Sequence, residues 1–328
     1  MWQGRKDRVA ARPLVTVITP TYNRVGHLEE TVRSVLDQDY PNIEYLVIDD
    51  GSKDATLEVL RKFEGRVQVY SHPNMGQAKT LNRGFSLAKG EFIGLVSDDD
   101  PVLPGLVRRV VETFDSHPEG LVVYPDWVRI DADGRVETHI RTEEYGSVEM
   151  IRRHHCVPGP GTFFRRGLLD AVGGWDPQFR YVADLDFWFR AGLHGSFVRI
   201  PETLATFRMH SSGLSTAGQG SAMAEEHLRL VRKFFALPGL PPEVRGARRE
   251  ATSSARFIAG FVCGPPSLRK MGHLLAAVAY APLLHLGKYR DRSRFIARQV
   301  RDFLSISLHR AGGSLLRAVG LRTRREAS

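Results

Sequence analysis

Cysteine is nearly absent from this chain of 328 residues: Cys156 and Cys263 are the only two. Two thiols cannot build a disulfide framework, and no charged-then-apolar leader precedes the first strand-like run. The expectation is therefore a reducing, cytoplasmic setting, with peripheral attachment to the inner face of a membrane as its variant. Long apolar runs are missing as well. Met271 to Gly287 gives 17 residues free of Asp, Glu, Lys and Arg, but it contains Pro282 and falls short of the roughly 20 residues needed to cross a bilayer. Compositional extremes are also lacking. Hydrophobic content of 42%, charge of 25% and aromatics of 9% exclude disorder, a collagen-like chain and a polytopic membrane protein.

Charge is present but uneven. Residues 241–328 carry 17 Lys and Arg against 5 Asp and Glu, a balance of +12, which leaves −3 of the total +9 for the first 240 residues. A basic tail suits an anionic partner. Its cations lack interleaved aromatics, which speaks against nucleic acid. Arg292 to Leu308 sets Phe295, Ile296, Val300, Phe303, Leu304 and Leu308 on one helical stripe. That pattern suits either an interfacial helix on anionic lipid or an ordinary helix packed on protein.

The first half alternates short apolar strands with helix-length periodic stretches: Leu14 to Thr19, His27 to Gln38, Ile43 to Ile48, Ala55 to Phe63, Val67 to Tyr70, Gln77 to Ala88 and Phe92 to Val96. This order predicts an α/β domain with a largely parallel sheet. Three strands end in polar residues, at Pro20 to Asn23, at Asp49 to Ser52 and at Ser97 to Asp100. Open α/β sheets bind ligands beyond the carboxyl ends of their strands, so these segments converge on one cleft. Each segment alone could be only a turn. Leu121 to Ile130 and Val136 to Ile140 read as a hairpin, and Phe197 to Phe207 returns to strand.

Three adjacent aspartates, Asp98 to Asp100, repel one another unless a cation joins them, which points to Mg²⁺ or Mn²⁺ with phosphate oxygens; a solvated acidic turn is the plainer alternative. His210 follows the Phe197 to Phe207 strand directly. Asp184 and Asp186 lie two apart and so on different faces of a helix. His154-His155-Cys156 has no second pair at ligand spacing and reads as a loop beside the cleft rather than as zinc ligands.

Taken in order, Val15 to Arg24, Ile48 to Ser52 with Asp54 and Thr56, Asn74 to Gly84, Lys89 to Ile93 running into Asp98 to Asp100, and Gly173 to Asp176 before Asp184 resemble the family 2 inverting glycosyltransferases of the GT-A fold. The resemblance spans roughly residues 14 to 216. It implies a GT-A, Rossmann-like mixed sheet flanked by helices, a nucleotide-diphosphate-sugar donor, and a glycan or lipid-linked acceptor. Within it Pro20 and Tyr22 line the base pocket, Asp50 bonds the base with Asp49 behind it, and Lys79 contacts the diphosphate or base. Asp99 is the metal ligand, joined by Asp100 and His210 around Mn²⁺ or Mg²⁺, while Asp98 faces the ribose; the register of the triplet stays open between these roles. Asp184 is the general base, and Trp175 and Asp186 belong to the acceptor side. Relatives commonly carry an acid just before the base, where this chain has Ala183.

The expected organisation is a tail over 1–13, a catalytic domain over 14–220 (donor part 14–105, acceptor part 106–220), a linker over 221–240 and a helical basic extension over 241–328. An anionic membrane surface is the partner considered for that extension, and a homo-oligomer stays open. A sugar nucleotidyltransferase and a non-catalytic nucleotide-sugar-binding protein are the rival readings. The first would need a glycine-rich basic loop, which Pro20 to Arg24 lacks.

Overall fold

The computed structural model describes residues 12–144, 146–210, 213, 220–264, 267–281, 292 and 295–301. The chain divides into two units. One comprises residues 1–151 and 155–218, the other residues 152–154 and 219–328.

The first unit is built on one sheet. Its strands are β1 (Val15–Thr21), β2 (Ile43–Asp49), β3 (Gln68–Ser71), β4 (Phe92–Leu95), β5 (Gly120–Ile130), β6 (Val136–Ile140), β7 (Phe163–Arg165) and β8 (Ser196–Arg208). The order is β3-β2-β1-β4-β7-β5-β6, with β8 on β5. Strands β1 to β4 pair in parallel, β7 runs antiparallel to β4 and β5, β6 runs antiparallel to β5, and β8 is parallel to β5. The helices are α1 (Leu28–Leu36), α2 (Thr56–Arg61), α3 (Gln77–Leu87), α4 (Leu106–Ser116), α5 (Ser147–Arg153), α6 (Leu168–Val172) and α7 (Ala183–Ala191).

Strands β1 and β2 are buried almost throughout, as expected of strands covered on both faces. A carboxylate nonetheless sits inside β2. Glu44 is buried because it accepts hydrogen bonds from the Thr16 hydroxyl at 2.6 Å and the Lys89 amide at 2.9 Å. Gly94 in β4 is required by its neighbour: a Cβ there would lie 2.1 Å from the Phe163 ring across the sheet. Parallel strands all deliver their carboxyl ends to one edge, and that edge carries the site.

The second unit contains α8 (Ser221–Phe234), α9 (Pro242–Gly246), α10 (Arg248–Val262) and α11 (Leu268–Tyr280). Residues 221–240, expected as a linker, thus hold a helix. Met223, Leu228, Val231 and Phe234 give it a buried stripe, which the preceding Ser- and Gly-rich stretch obscured in the sequence. Helix α10 packs close to α11 through small residues, with Leu274 occupying the space where a Cβ on Gly260 would stand. His154 and His227 share a hydrogen bond of 2.9 Å. No helix among the described residues is long and apolar enough to cross a membrane. Of the stripe expected from Arg292 to Leu308, residues 302–308 lie outside the described residues, as do 282–287 of the uncharged run.

Candidate active site

The carboxyl end of β1 leads into a loop fixed mostly by side-chain hydrogen bonds. The Asn23 amide donates to Ser52 Oγ at 2.9 Å, the Lys53 amide to Asn23 Oδ1 at 2.8 Å, and the Arg24 amide to Thr56 Oγ1 at 3.0 Å. Gly51 makes the neighbouring turn possible, since its φ is +78° and a Cβ would fall 2.8 Å from the Asn74 nitrogen. Beneath it both acids at the end of β2 are buried. Asp49 accepts from the Ser52 amide at 3.1 Å and the Ser71 hydroxyl at 2.6 Å. Asp50 accepts from Asn74 Nδ2 at 3.0 Å, the Met75 amide at 2.8 Å and the Gly76 amide at 3.0 Å. Both therefore shape the loops around the cleft, and Asp50 holds the segment entering α3.

A cavity of about 440 Å³ opens beyond β1 and β4. The acidic triplet forms one part of its wall, with Pro20 and Arg24 beside it. Asp98 and Asp100 are buried, and Asp99 is the more accessible. Asp99 Oδ2 lies 2.8 Å from His210 Nε2 and 3.7 Å from Arg24 Nη2, while Arg24 Nε lies 3.5 Å from Asp98 Oδ1. Burial, and next the charge of Asp99, pushes Asp98 up to about 7, against the Thr21 hydroxyl and Arg24. Asp100 is raised for the same two reasons, although its Oδ1 accepts the Arg208 amide at 2.7 Å.

Arg208 anchors this acidic loop. Its guanidinium is buried and donates to the Asp99 carbonyl at 2.9 Å, the Ala132 carbonyl at 3.1 Å and Glu30 Oε2 at 2.6 Å. The His27 ring lies 5.2 Å from that of His210.

Asp184 lines the same cavity from the first turn of α7. Its Oδ1 accepts the Leu185 amide at 2.7 Å, and burial outweighs that bond and raises it above the usual carboxylate range. The Cys156 thiol also lines the cavity; burial and the nearby charge of Asp184 raise it, and it donates to the Pro158 carbonyl at 3.0 Å. Around Asp184 the wall is aromatic, with Trp127, Trp175, Tyr181, Trp188 and Phe207. Trp175 is pinned to α3 by two bonds of 2.8 Å, its amide to Asn82 Oδ1 and Asn82 Nδ2 to its carbonyl, while its indole Nε1 is buried without a partner.

Asp186 and Lys79 fall off the cavity wall, as does Tyr22, which is 42% exposed. Asp186 does not reach the cavity: it is buried against Arg190 at 2.8 Å, whose guanidinium also bonds the Val172 and Gly174 carbonyls. The helical period turns it inward and makes it a brace between α7 and the Gly173-Gly174 turn. Lys79 is exposed on α3 and off the cavity wall, to which that helix contributes Gln77 and Leu81. Asp100, expected beside the metal, is turned to the Arg208 amide.

The donor chemistry suits a hard cation on a minimal protein set. Asp99 and His210 offer one carboxylate and one imidazole close enough to share an ion, and Mg²⁺ or Mn²⁺ commonly takes its remaining ligands from substrate phosphates and water. Among the described residues no group of three or more His, Cys, Asp or Glu is arranged to hold a metal unaided.

Comparison with known proteins gives this geometry a lineage. The sequence profile described as glycosyl transferase family 2 matches residues 16–173, from β1 through the acidic triplet to the turn before Trp175. This part of the chain belongs to glycosyl transferase family 2. An uncharacterized glycosyltransferase of Rickettsia typhi is 27% identical over 230 residues, covering 68% of this chain and 72% of the relative. Among solved structures, S. aureus TarS 1-349 in complex with UDP-GlcNAc superposes with a TM-score of 0.65 at 19% identity, over 88% of this chain and 92% of that one. The mannosyltransferase PcManGT from Pyrobaculum calidifontis, in complex with GDP-Man and Mn²⁺, gives 0.58 at 19% identity, over 90% and 88%. At that identity the two structures establish the fold, which is GT-A.

Several residues around the family 2 site escaped sequence reasoning. Arg24 ends the Val15 to Arg24 motif and Arg208 follows the Phe197 to Phe207 run, yet only contacts across more than 70 positions reveal what they hold. Tyr181 and Phe207 carry no local signal, and they reach the cavity together with Cys156, whose loop was expected beside the cleft.

Proposed function

We propose that this family 2 enzyme moves a sugar from a nucleoside-diphosphate donor to a hydroxyl of a glycan or lipid-linked acceptor, with inversion at the anomeric carbon. What supports this most is one cavity with Asp99, which His210 meets at 2.8 Å, in one part of its wall and Asp184 in another. The donors printed for the two structural neighbours, UDP-GlcNAc and GDP-Man, support the donor class.

In this reading the acceptor hydroxyl oxygen attacks the anomeric carbon on the face opposite the diphosphate. The new glycosidic bond forms as the bond to the diphosphate oxygen breaks, and Asp184 takes the hydroxyl proton. Its raised affinity for protons makes it a stronger base than an exposed carboxylate. Asp99 and His210 would hold Mn²⁺ or Mg²⁺, which supplies charge neutralisation for the departing diphosphate when bound. Arg24 and Arg208 keep the acidic loop in place, and Trp175 with its neighbours offers ring faces to an acceptor sugar.

The second unit supports a place beside a membrane for a lipid-linked acceptor. Leu268 and Leu275, one above the other on α11, are 80% and 57% exposed within a strongly basic extension. The test is a panel of nucleotide sugars scored for transfer and for hydrolysis, on the wild type and Asp184→Asn. Turnover with at least one donor, collapsing in the variant while diphosphate binding persists, is the expected result. Unchanged turnover in the variant would remove Asp184 as the base.

A further inference from the structure

Two helices of the second unit hold polar groups that their surroundings leave unsatisfied. Arg269 and His273 lie four residues apart on α11 and so on one side of it, and Tyr280, seven residues after His273, shares that side. Helix α10 brings Arg256 there. A Cβ on Gly260, one turn further along α10, would stand 3.5 Å from the Cβ of His273, and the Arg256 guanidinium lies 5.8 Å from the centre of the Tyr280 ring. His273 is only 8% exposed, and neither its Nδ1 nor its Nε2 has a hydrogen-bond partner. The Nε of Arg256 is likewise buried and unpartnered, and among the described residues no hydrogen bond or ion pair engages the guanidinium of Arg256 or Arg269.

Like charges gathered without partners call for an anion. Burial lowers the proton affinity of His273, the charges of Arg256 and Arg269 lower it further, and the acid that opposes them, Glu225, is engaged by Arg232 Nη2 at 3.1 Å. Two guanidinium forks present paired donors that match phosphate oxygens, and an imidazole beside them gains a proton as the anion arrives. The adjoining face of α11 names the source of that phosphate. Leu268, Gly272, Leu275 and Ala279 follow one another along the helix next to Arg269 and are all exposed, in a segment whose residues 241–328 balance at +12. A soluble phosphate has no use for an apolar stripe, whereas a lipid brings both a headgroup and acyl chains.

We propose that Arg256, Arg269 and His273 form a site for the phosphate-monoester headgroup of a membrane lipid, with Leu268 and Leu275 set among the acyl chains beside it. A monoester turns three oxygens outward and carries nearly two charges, enough to meet both guanidiniums and the imidazole, whereas a diester offers fewer oxygens and one charge. The inference rests on the membrane placement above and adds a chemical preference to it, since attraction to surface charge alone does not tell one anionic headgroup from another.

Co-sedimentation of the full chain with phosphatidylcholine vesicles tests it, the vesicles carrying either phosphatidic acid or phosphatidylserine at matched surface charge. Wild type is expected to bind the phosphatidic acid vesicles about 10-fold more tightly, the size of one charge-assisted hydrogen bond. Arg256→Lys with Arg269→Lys keeps the charge and removes the forks, so the preference should shrink to within about twofold while binding to phosphatidylserine persists. Arg245→Gln, a charge lost elsewhere in the same unit, should weaken binding to both vesicles alike. His273→Gln should remove part of the preference; thermal melting checks that each variant folds, and the His273 variant carries the test if the Lys pair does not. A preference missing from the wild type, or one that survives all three substitutions, overturns the site and leaves membrane attachment standing. Calorimetric binding of glycerol 1-phosphate as tight as that of the vesicles would assign the site to a soluble phosphate and overturn the lipid. A wild type that ignores both kinds of vesicle overturns the membrane reading beneath it.

Discussion

The acidic and the aromatic parts of the cavity wall treat a carboxylate in different ways. Around Asp98 to Asp100, charge is answered by charge: Arg24, Arg208 and His210 sit among the acids, and a buried guanidinium ties the loop to α1 and to the turn after β5. Around Asp184 the surroundings are rings, a thiol and Ala183, and the carboxylate is met by backbone amides, Leu185's and its own. In the first, burial and the charge of Asp99 raise Asp98 and Asp100, and Asp99, beside His210 and Arg24, is the acid placed to meet a polyanion through a cation. The second penalises ionisation and leaves a group eager for a proton. In the proposed reaction the two parts would meet the leaving diphosphate and the incoming hydroxyl by separate physical means.

The sharpest way to break this contrast is at Asp184. Asp184→Asn should lower kcat by about 10²- to 10⁴-fold with little change in nucleoside-diphosphate affinity, read by steady-state kinetics beside calorimetry. Next in size is the acidic side: Asp99→Ala or His210→Ala should weaken Mn²⁺-dependent diphosphate binding by about 10- to 100-fold, and binding that ignores both substitutions would remove the cation from this pair. A third test uses pH. The native value of Asp184 lies above the ordinary one, so kcat/KM should fall as pH drops through that raised value, placing the acid limb above that of an exposed carboxylate. The same sign governs stability. The native state holds this proton more tightly than the unfolded chain, so ionising Asp184 at neutral pH works against folding, and Asp184→Asn should melt at or above the wild-type temperature there. The smallest effect concerns the second unit: Leu268→Glu with Leu275→Glu should reduce binding to anionic vesicles about threefold or more, and a wild type that ignores such vesicles would detach the membrane from the reading.

Much of this architecture could be read from local pattern. The runs at Val15 to Thr21, Ile43 to Asp49 and Phe92 to Leu95 are apolar because both faces are covered, and their polar ends announce the cleft. The hairpin of β5 and β6 was equally visible from its Asp131 to Gly134 turn. What local pattern cannot give is the choice among chemically equal neighbours. Spacing separates Asp184 from Asp186 by face, but only the packing of Arg190 against the Gly173-Gly174 turn decides which of the two is internal. Within the triplet, the identity of the accessible acid depends on where Arg208 and His210 arrive from β8, more than 100 positions later.

The clamp between Asn82 and Trp175 joins the donor half to the acceptor half. Asn82 sits on α3, the helix whose entry segment Asp50 secures, and its amide grips both backbone groups of the tryptophan. Gly174 beside it has no room for a side chain, since a Cβ would lie 2.2 Å from Asn82 Oδ1, so the joint has almost no slack. A nucleotide that shifts the start of α3 therefore drags the indole with it. By linkage such a coupling runs both ways, so an occupant that moves either end of the clamp would be felt at the other.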